Sequence, residues 1–292
     1  SFFFFGPWRS WRLGGLKMLR SQNNVPIGFE PMLNHLPAWM LVLFRIAGIF
    51  FMAPVFGSTT IPVRFRMLLS VAVACCVYPM LIEPGRQAMP NVMPIVANGM
   101  FFWTMAPAVA MEMLIGVLIG FGASLPIFGM QVGGRIVDQQ MGLGIAGVYN
   151  PEVGEEVGVI SEFFFMLSLT IFILIGGLRV VLTTLVGSFN HIPLGTYMVD
   201  GNIIDLLIGL CQAMFELGLR VSAPLLCLFF LLTISMGFIA RTVPQLNILS
   251  IGFTVRIVCG VLIVLGALGV MFSVFEHDLH VLLRRLSVFF AP

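Results

Sequence analysis

The sequence predicts an all-α integral membrane protein, with about six long apolar helices and one irregular apolar loop among them. Three observations point there. Of the 292 residues, 59% are hydrophobic and only 10% charged, whereas a soluble domain carries about 25% charged residues. The apolar residues run continuously over roughly 39–56, 67–82, 108–130, 159–187, 203–240 and 248–275. Continuous runs exclude a membrane β-barrel, whose strands alternate apolar and polar positions. Between the third and fourth runs, Gln131 to Gly158 holds seven glycines and the charged residues Arg135, Asp138, Glu152, Glu155 and Glu156.

The elements follow in order. Residues 1–31 read as an N-terminal extension with two readings, a fragment or a mis-called start with Met18 or Met32 as the native initiator. Four phenylalanines precede Arg9 and Arg12, the reverse of a signal peptide, which puts charge before its apolar core. The run at 39–56 suffices for a first span, since about 20 apolar residues cross a bilayer. The run at 67–82 is short and reads as tilted or re-entrant. The runs at 108–130 and 159–187 complete a front part, 32–200, which the helix breakers of Asn190 to Gly195 close as a turn. A rear hairpin, 203–275, follows, joined at Arg241 to Asn247. Its first arm, Ile203 to Ala240, would measure about 57 Å as one helix, nearly twice the hydrocarbon thickness. It reads as one long helix bent at Pro224, with two short helices as the alternative. Residues 276–292 read as a C-terminal tail. The charges do not fix the topology.

The broken stretch bears most on function. Met141 to Tyr149 is apolar but too rich in glycine for a stable helix. Irregular backbone at membrane depth survives only where protein buries it or where it lines a water-filled path. The segment therefore indicates a pore, a gate or a substrate route.

Charges inside apolar runs cost about 2.5–3.5 kcal/mol each at a helix centre and mark function or assembly by default. They are Arg45, Glu112, Glu162, Arg179, Glu216, Arg220 and Arg256. Glu216 and Arg220 are four apart, share a helix face and can pair. Gly116 with Gly120, and Gly129 with Gly133, are spaced for close helix approach. The 19 methionines read as deformable core filling.

Other chemistry finds little support. Fourteen of the 15 basic residues are arginine, Lys17 being the one lysine, and they form no basic face, so no nucleic acid is expected as a partner. Cys75, Cys76, Cys211, Cys227 and Cys259 lack metal spacing and read as buried thiols. Glu276, His277, Asp278 and His280 read as a solvated helix end, because a real site needs a fuller ligand set. No phosphate-binding loop, zinc-protease motif or nucleophile elbow occurs. No catalytic, cofactor or metal residue is assigned, and the chain is not expected to be an enzyme.

Four blocks together resemble the FliR family, membrane subunits of the flagellar type III protein-export gate with counterparts in injectisomes. They are Phe44 to Gly48 with Ala53 to Gly57 and Ile61-Pro62; Asp138 to Gly142 through Tyr149-Asn150-Pro151; Ser188 to Gly195; and Arg241 to Phe253. The resemblance runs from about 36 to 285. It implies a channel-forming subunit for unfolded protein substrates in the bacterial inner membrane, within the flagellar basal body. Implied partners are FliP-like and FliQ-like subunits and an FlhB-like subunit, besides membrane lipid. The front part would resemble FliP, and the rear hairpin FliQ. The hairpin's Gly252, Gly260, Gly266 and Gly269 would then offer notches to a neighbouring helix.

The resemblance also implies that a loop plugs the channel. That loop corresponds to Met141, Gly142, Leu143, Gly144, Ile145, Ala146, Gly147, Val148, Tyr149, Asn150 and Pro151. The family pattern carries bulky aromatics there and an Asp before the Pro; this chain has Gly147, Val148, Tyr149 and Asn150, a smaller plug. A small-solute secondary transporter is the alternative, since broken helices and intramembrane charges suit it too.

Overall fold

The structure, a computed structural model, describes residues 30–57, 61–82, 102–142, 158–195, 201–242 and 248–290. Every regular element among these residues is helical: α1 (Glu30–Met52), α2 (Val63–Ile82), α3 (Phe102–Met141), α4 (Val159–Leu174), α5 (Gly177–His191), α6 (Gly201–Thr242) and α7 (Ile248–Phe290). Five are long and apolar enough to cross a membrane, and α4 with α5 forms a sixth, bent candidate. The predicted class and the approximate number of spans both hold.

Local chemistry sets the breaks. Pro54 disfavours helix in the residue before it, and α1 ends at Met52. The chain then turns tightly, with the Gly57 amide donating to the Ala53 carbonyl at 2.8 Å. Val55 sits in the left-handed region at φ 74°, a strained choice for a β-branched residue. The turn seats Phe56 edge-on to Phe50, with centroids 4.9 Å apart. In the run at 159–187, Gly176 takes φ 80°, a conformation that suits glycine. The axis bends there by 63°, so one expected helix becomes α4 and α5.

The rear hairpin differs in length from its sequence reading. α6 is one helix of 42 residues with Pro224 inside it, so the two-helix alternative falls. α7 continues to Phe290, so the tail expected from 276 onward is helical as far as that residue. The extension is apolar on one face, and it buries Leu279, Leu282, Leu283, Leu286 and Phe290. The short run at 67–82 lies within a 20-residue helix, α2.

α3 is the hub. It packs against α1, α4, α6 and α7, and 67% of its span is buried, against 11% for α6 and 17% for α7. One hydrophobic cluster joins all of these helices, including Ile46, Ile119, Phe164, Phe189, Leu217, Leu225, Phe275 and Leu283. Front part and hairpin thus share a single core. In lipid, apolar burial drives helix association little, and close packing of small residues takes over. The predicted glycines do this. A Cβ on Gly116 would run into the Arg45 carbonyl oxygen, and one on Gly120 would lie 2.8 Å from that of Ile49. Likewise Gly129 and Gly133 face the Met214 and Gly218 carbonyl oxygens of α6, at 2.7 and 2.9 Å.

The hairpin notches divide. Gly266 and Gly269 face open space, but Gly260 faces Met141 and Phe229 of the same chain. Gly260 is therefore an internal packing position, not a partner notch. The five cysteines were expected to be buried; Cys75, Cys76 and Cys227 are instead exposed on the chain and Cys211 and Cys259 partly so, because α2 and α6 turn apolar faces outward.

Alanine at Gly116 and at Gly266 should separate these roles. Gly266→Ala gains helix propensity, up to about 1 kcal/mol, and raises the thermal midpoint in detergent. Gly116→Ala overpacks the α1–α3 contact, at a cost of about 1–3 kcal/mol, and lowers it. Shifts of the same sign at both positions would contradict the packing.

Candidate functional site

Two buried polar devices stand out. The first centres on Arg45, whose side chain is fully buried in α1. Its Nε donates to Glu112 Oε2 of α3 at 2.5 Å. Its Nη1 donates to Ser188 Oγ at 3.3 Å and to the Ile192 carbonyl at 3.3 Å, and its Nη2 reaches that carbonyl at 3.2 Å. The Phe189 ring lies 4.5 Å from the guanidinium carbon, a favourable cation–π distance. The other oxygen of Glu112, Oε1, accepts from the Gly195 amide at 2.9 Å. An ion pair this deep is tolerated only when hydrogen bonds take up its remaining capacity.

This arrangement explains the turn at Asn190 to Gly195. Carbonyls at the end of a helix have no partner within it. At the end of α5, Arg45 takes up that of Ile192, while Gly195, in the left-handed region at φ 73°, presents its amide to Glu112. The ion pair thereby ties the end of α5 to α1 and α3.

The second device is Asp138, 4% exposed near the end of α3. Helix α4 opens with Gly158 at the cap position and has no side-chain cap of its own. Its first amides need an acceptor. Asp138 supplies one: Oδ1 accepts from Ile160 N at 3.0 Å and Oδ2 from Ser161 N at 2.8 Å. A Cβ on Gly158 would strike Asp138, and one on Gly134 would come within 2.5 Å of Ser161 Cα. Glycine at 134 lets the α3 backbone meet that of α4, and glycine at 158 makes room for the Asp138 side chain. These residues are the two feet of the segment 143–157. Of the proposed plug, Met141 is fully buried and Gly142 takes φ 79°; Leu143 to Pro151 lie outside the described residues.

The remaining intramembrane charges are placed as follows. Glu216 and Arg220 do pair, at 2.6 Å, but their side chains are 62% and 48% exposed on the chain. Arg220 also donates to both oxygens of Asp278 on α7 at 3.1 Å. Asp278 belongs to this cluster and not to a bare helix end. Arg256 donates to Thr233 at 3.0 Å. Glu162 is half-buried in the first turn of α4, where an acid suits the helix dipole, and Arg179 is exposed. Sequence reasoning missed Asp138, Ser188 and Asp278 as members of these sites. For Asp138 a signal existed: an apolar helix start without a local cap needs a remote one.

Together these features define a polytopic α-helical membrane protein built around a central helix, with buried polar ties at its turns. The comparisons give the family. The family model for bacterial export proteins, family 1, matches residues 36–281, and the chain belongs to that family. It is similar to the flagellar biosynthetic protein FliR of Bacillus subtilis strain 168, 25% identical over 244 residues, covering 82% of this chain and 90% of that protein. The same-named protein of Escherichia coli K12 is 25% identical over 248 residues, with 85% and 90% covered. The surface presentation of antigens protein SpaR of Shigella sonnei is 24% identical over 226 residues, with 76% and 82% covered.

Four variants test the ties. Glu112→Gln leaves Arg45 buried without its counter-ion and should cost about 3–5 kcal/mol, seen as a lowered unfolding midpoint. Changing both Arg45 and Glu112 to Met should cost less than Glu112→Gln alone. Glu216→Gln, on an exposed pair, should stay within about 1 kcal/mol of the parent; equal losses at Glu112 and Glu216 would sink this contrast. Separately, Asp138→Ala removes the cap of α4, worth about 0.5–2 kcal/mol. Faster hydrogen exchange at Ile160 and Ser161 is expected, and unchanged exchange would show that the carboxylate does not hold the loop's feet.

Proposed function

We propose that this chain is a membrane subunit of a flagellar type III export gate and forms part of the channel for unfolded protein substrates. The observation that carries the reading is the family match over residues 36–281, together with relatives named flagellar biosynthetic protein FliR. The match takes in both feet of the broken segment. The site is the bacterial inner membrane, and the apolar spans suit it. Nothing in the fold or the comparisons favours a small-solute transporter.

In this reading Met141 to Pro151 is the plug, and Asp138 anchors its feet. The anchor supports the reading in a simple way: a segment whose two ends are tied together can move aside without pulling α3 from α4. The smaller side chains at Gly147, Val148 and Asn150 give a slimmer plug. FliP-like, FliQ-like and FlhB-like subunits are the proposed partners. The weakly buried faces of α6 and α7 would pack against them, with residues 32–200 acting as the FliP-like part and 203–275 as the FliQ-like part.

The test has two arms. The protein, isolated in mild detergent from its own membrane, should bring down two other small membrane proteins in fixed proportion. Deleting Gly144 to Val148 should leave that association intact and make the membrane leak small ions. Membranes as ion-tight as the parent would argue against the plug, while isolation without companions would argue against the gate itself.

A further inference from the structure

Four glycines of α3 make room for main chain. At Gly116, Gly120, Gly129 and Gly133 the atom nearest to an added Cβ is a carbonyl oxygen of a neighbouring helix. Gly260, buried on α7, differs. The three atoms nearest to a Cβ there are Met141 Cε, Met141 Sδ and Phe229 Cζ, each at 2.9 Å. All three belong to side chains. Glycine at 260 therefore serves no close helix crossing; it leaves a notch that Met141 fills, with the Phe229 ring as a wall. Met141 has no exposure and Phe229 only 2%. A flexible thioether suits an irregular gap of this kind.

The place of Met141 in the chain gives the notch its meaning. Met141 is the last residue of α3, and Gly142 leaves the helix at φ 79°. The point where the chain departs into 143–157 is thus set one residue after the notch. Asp138 stands three residues earlier on the same last turn, and Gly158 makes room for its side chain. The last turn of α3 is gripped twice, by α4 through Asp138 and by the rear hairpin through Met141. Each grip uses a glycine on the opposing element to admit one side chain of α3. The helix that carries the notch also has an outer face. Val258 and Leu262, two residues to either side of Gly260, are 53% and 63% exposed. A contact made on that face bears on the same turn of α7 that holds Met141.

We infer that Met141 is a positioning residue: seated in the Gly260 notch, it fixes the start of the plug to the hairpin, so that the outer face of α7 and the foot of the plug move as one body. The seat follows from the side chains of α3, α6 and α7; its effect on ion flow rests on the plug reading above.

Three quantities are measured on membranes holding the complete assembly: potassium leak, the thermal midpoint of the extracted protein, and hydrogen exchange at the Gly142 amide. Met141→Ala empties the notch and should raise leak and exchange several-fold each. Gly260→Val fills the notch, displaces Met141 and should do the same. The double variant M141A/G260V returns the lost volume from the opposite side, and volume-conserving changes are tolerated best; it should recover most of both losses. Leu283→Ala removes a buried side chain of the same helix, about 35 Å further along, and should lower the midpoint without added leak. A leak in Met141→Ala no greater than in Leu283→Ala, at a comparable fall in midpoint, would reduce Met141 to core filling and overturn the inference. An ion-tight Met141→Ala, where deletion of Gly144 to Val148 leaks, would overturn the seat and keep the plug. If the deletion itself stays tight, the plug reading falls and the Gly142 amide decides on the seat. Unchanged exchange in Met141→Ala then overturns it, and fast exchange that the double variant reverses upholds it.

Discussion

A guanidinium with no exposure to solvent constrains everything around it. Arg45 has five donors, and within the bundle each needs an acceptor or a polarisable neighbour. It finds a carboxylate on α3, a hydroxyl and a carbonyl at the end of α5, and an aromatic face beside them. These groups come from three separate stretches of the chain, so the ion pair forms only once α1, α3 and α5 are in register. The α1 backbone must also come close enough for Arg45 to reach Glu112. Gly48 and Gly116 allow this, since a Cβ on either would collide with the opposing main chain. The buried charge and the glycine contact are one device: close approach shortens the bridge, and the bridge fixes the register.

The same logic repeats at the other end of α3. There Gly134 brings α4 against α3, Gly158 makes room for Asp138, and Asp138 caps the helix start that the approach exposes. In a bilayer, unsatisfied backbone groups cost several kcal/mol each, about as much as any side-chain contact provides. Placing a remote acid over an uncapped helix start answers that cost. It also leaves the intervening segment, 143–157, to be chosen for something other than holding the helices together. In the function proposed above, that freedom serves the plug, the element that would seal and move while the frame stays fixed.

The outer helices show a different economy of contact. α2, α6 and α7 keep most of their apolar side chains on the outside of the chain. For α6 and α7, with apolar spans of 40 and 39 residues, the apolar length exceeds the bilayer. Some of that length therefore lies outside the hydrocarbon core. Glu216 and Arg220 lie exposed on this surface, tied to the partly buried Asp278 of α7.

Much of this was legible in the residues. Composition and continuous apolar runs determine an all-α membrane protein, because no other fold satisfies its backbone in lipid without alternating strands. Glycine spacing on α3 shows where helices come together, and four spaced blocks of residues carry the family. Length limits and composition could not decide where α7 ends, since a helix continues past its apolar run when the next turns still bury one face, as Leu279 and Leu283 do. Nor could they decide which charges meet. Arg45 and Glu112 are 67 positions apart, and Asp138 lies 22 from Ile160. Such pairings are set by the three-dimensional crossing of helices, which no local periodicity encodes. The sequence states that these charges must be compensated; only the packing of α1, α3, α4 and α5 determines by what.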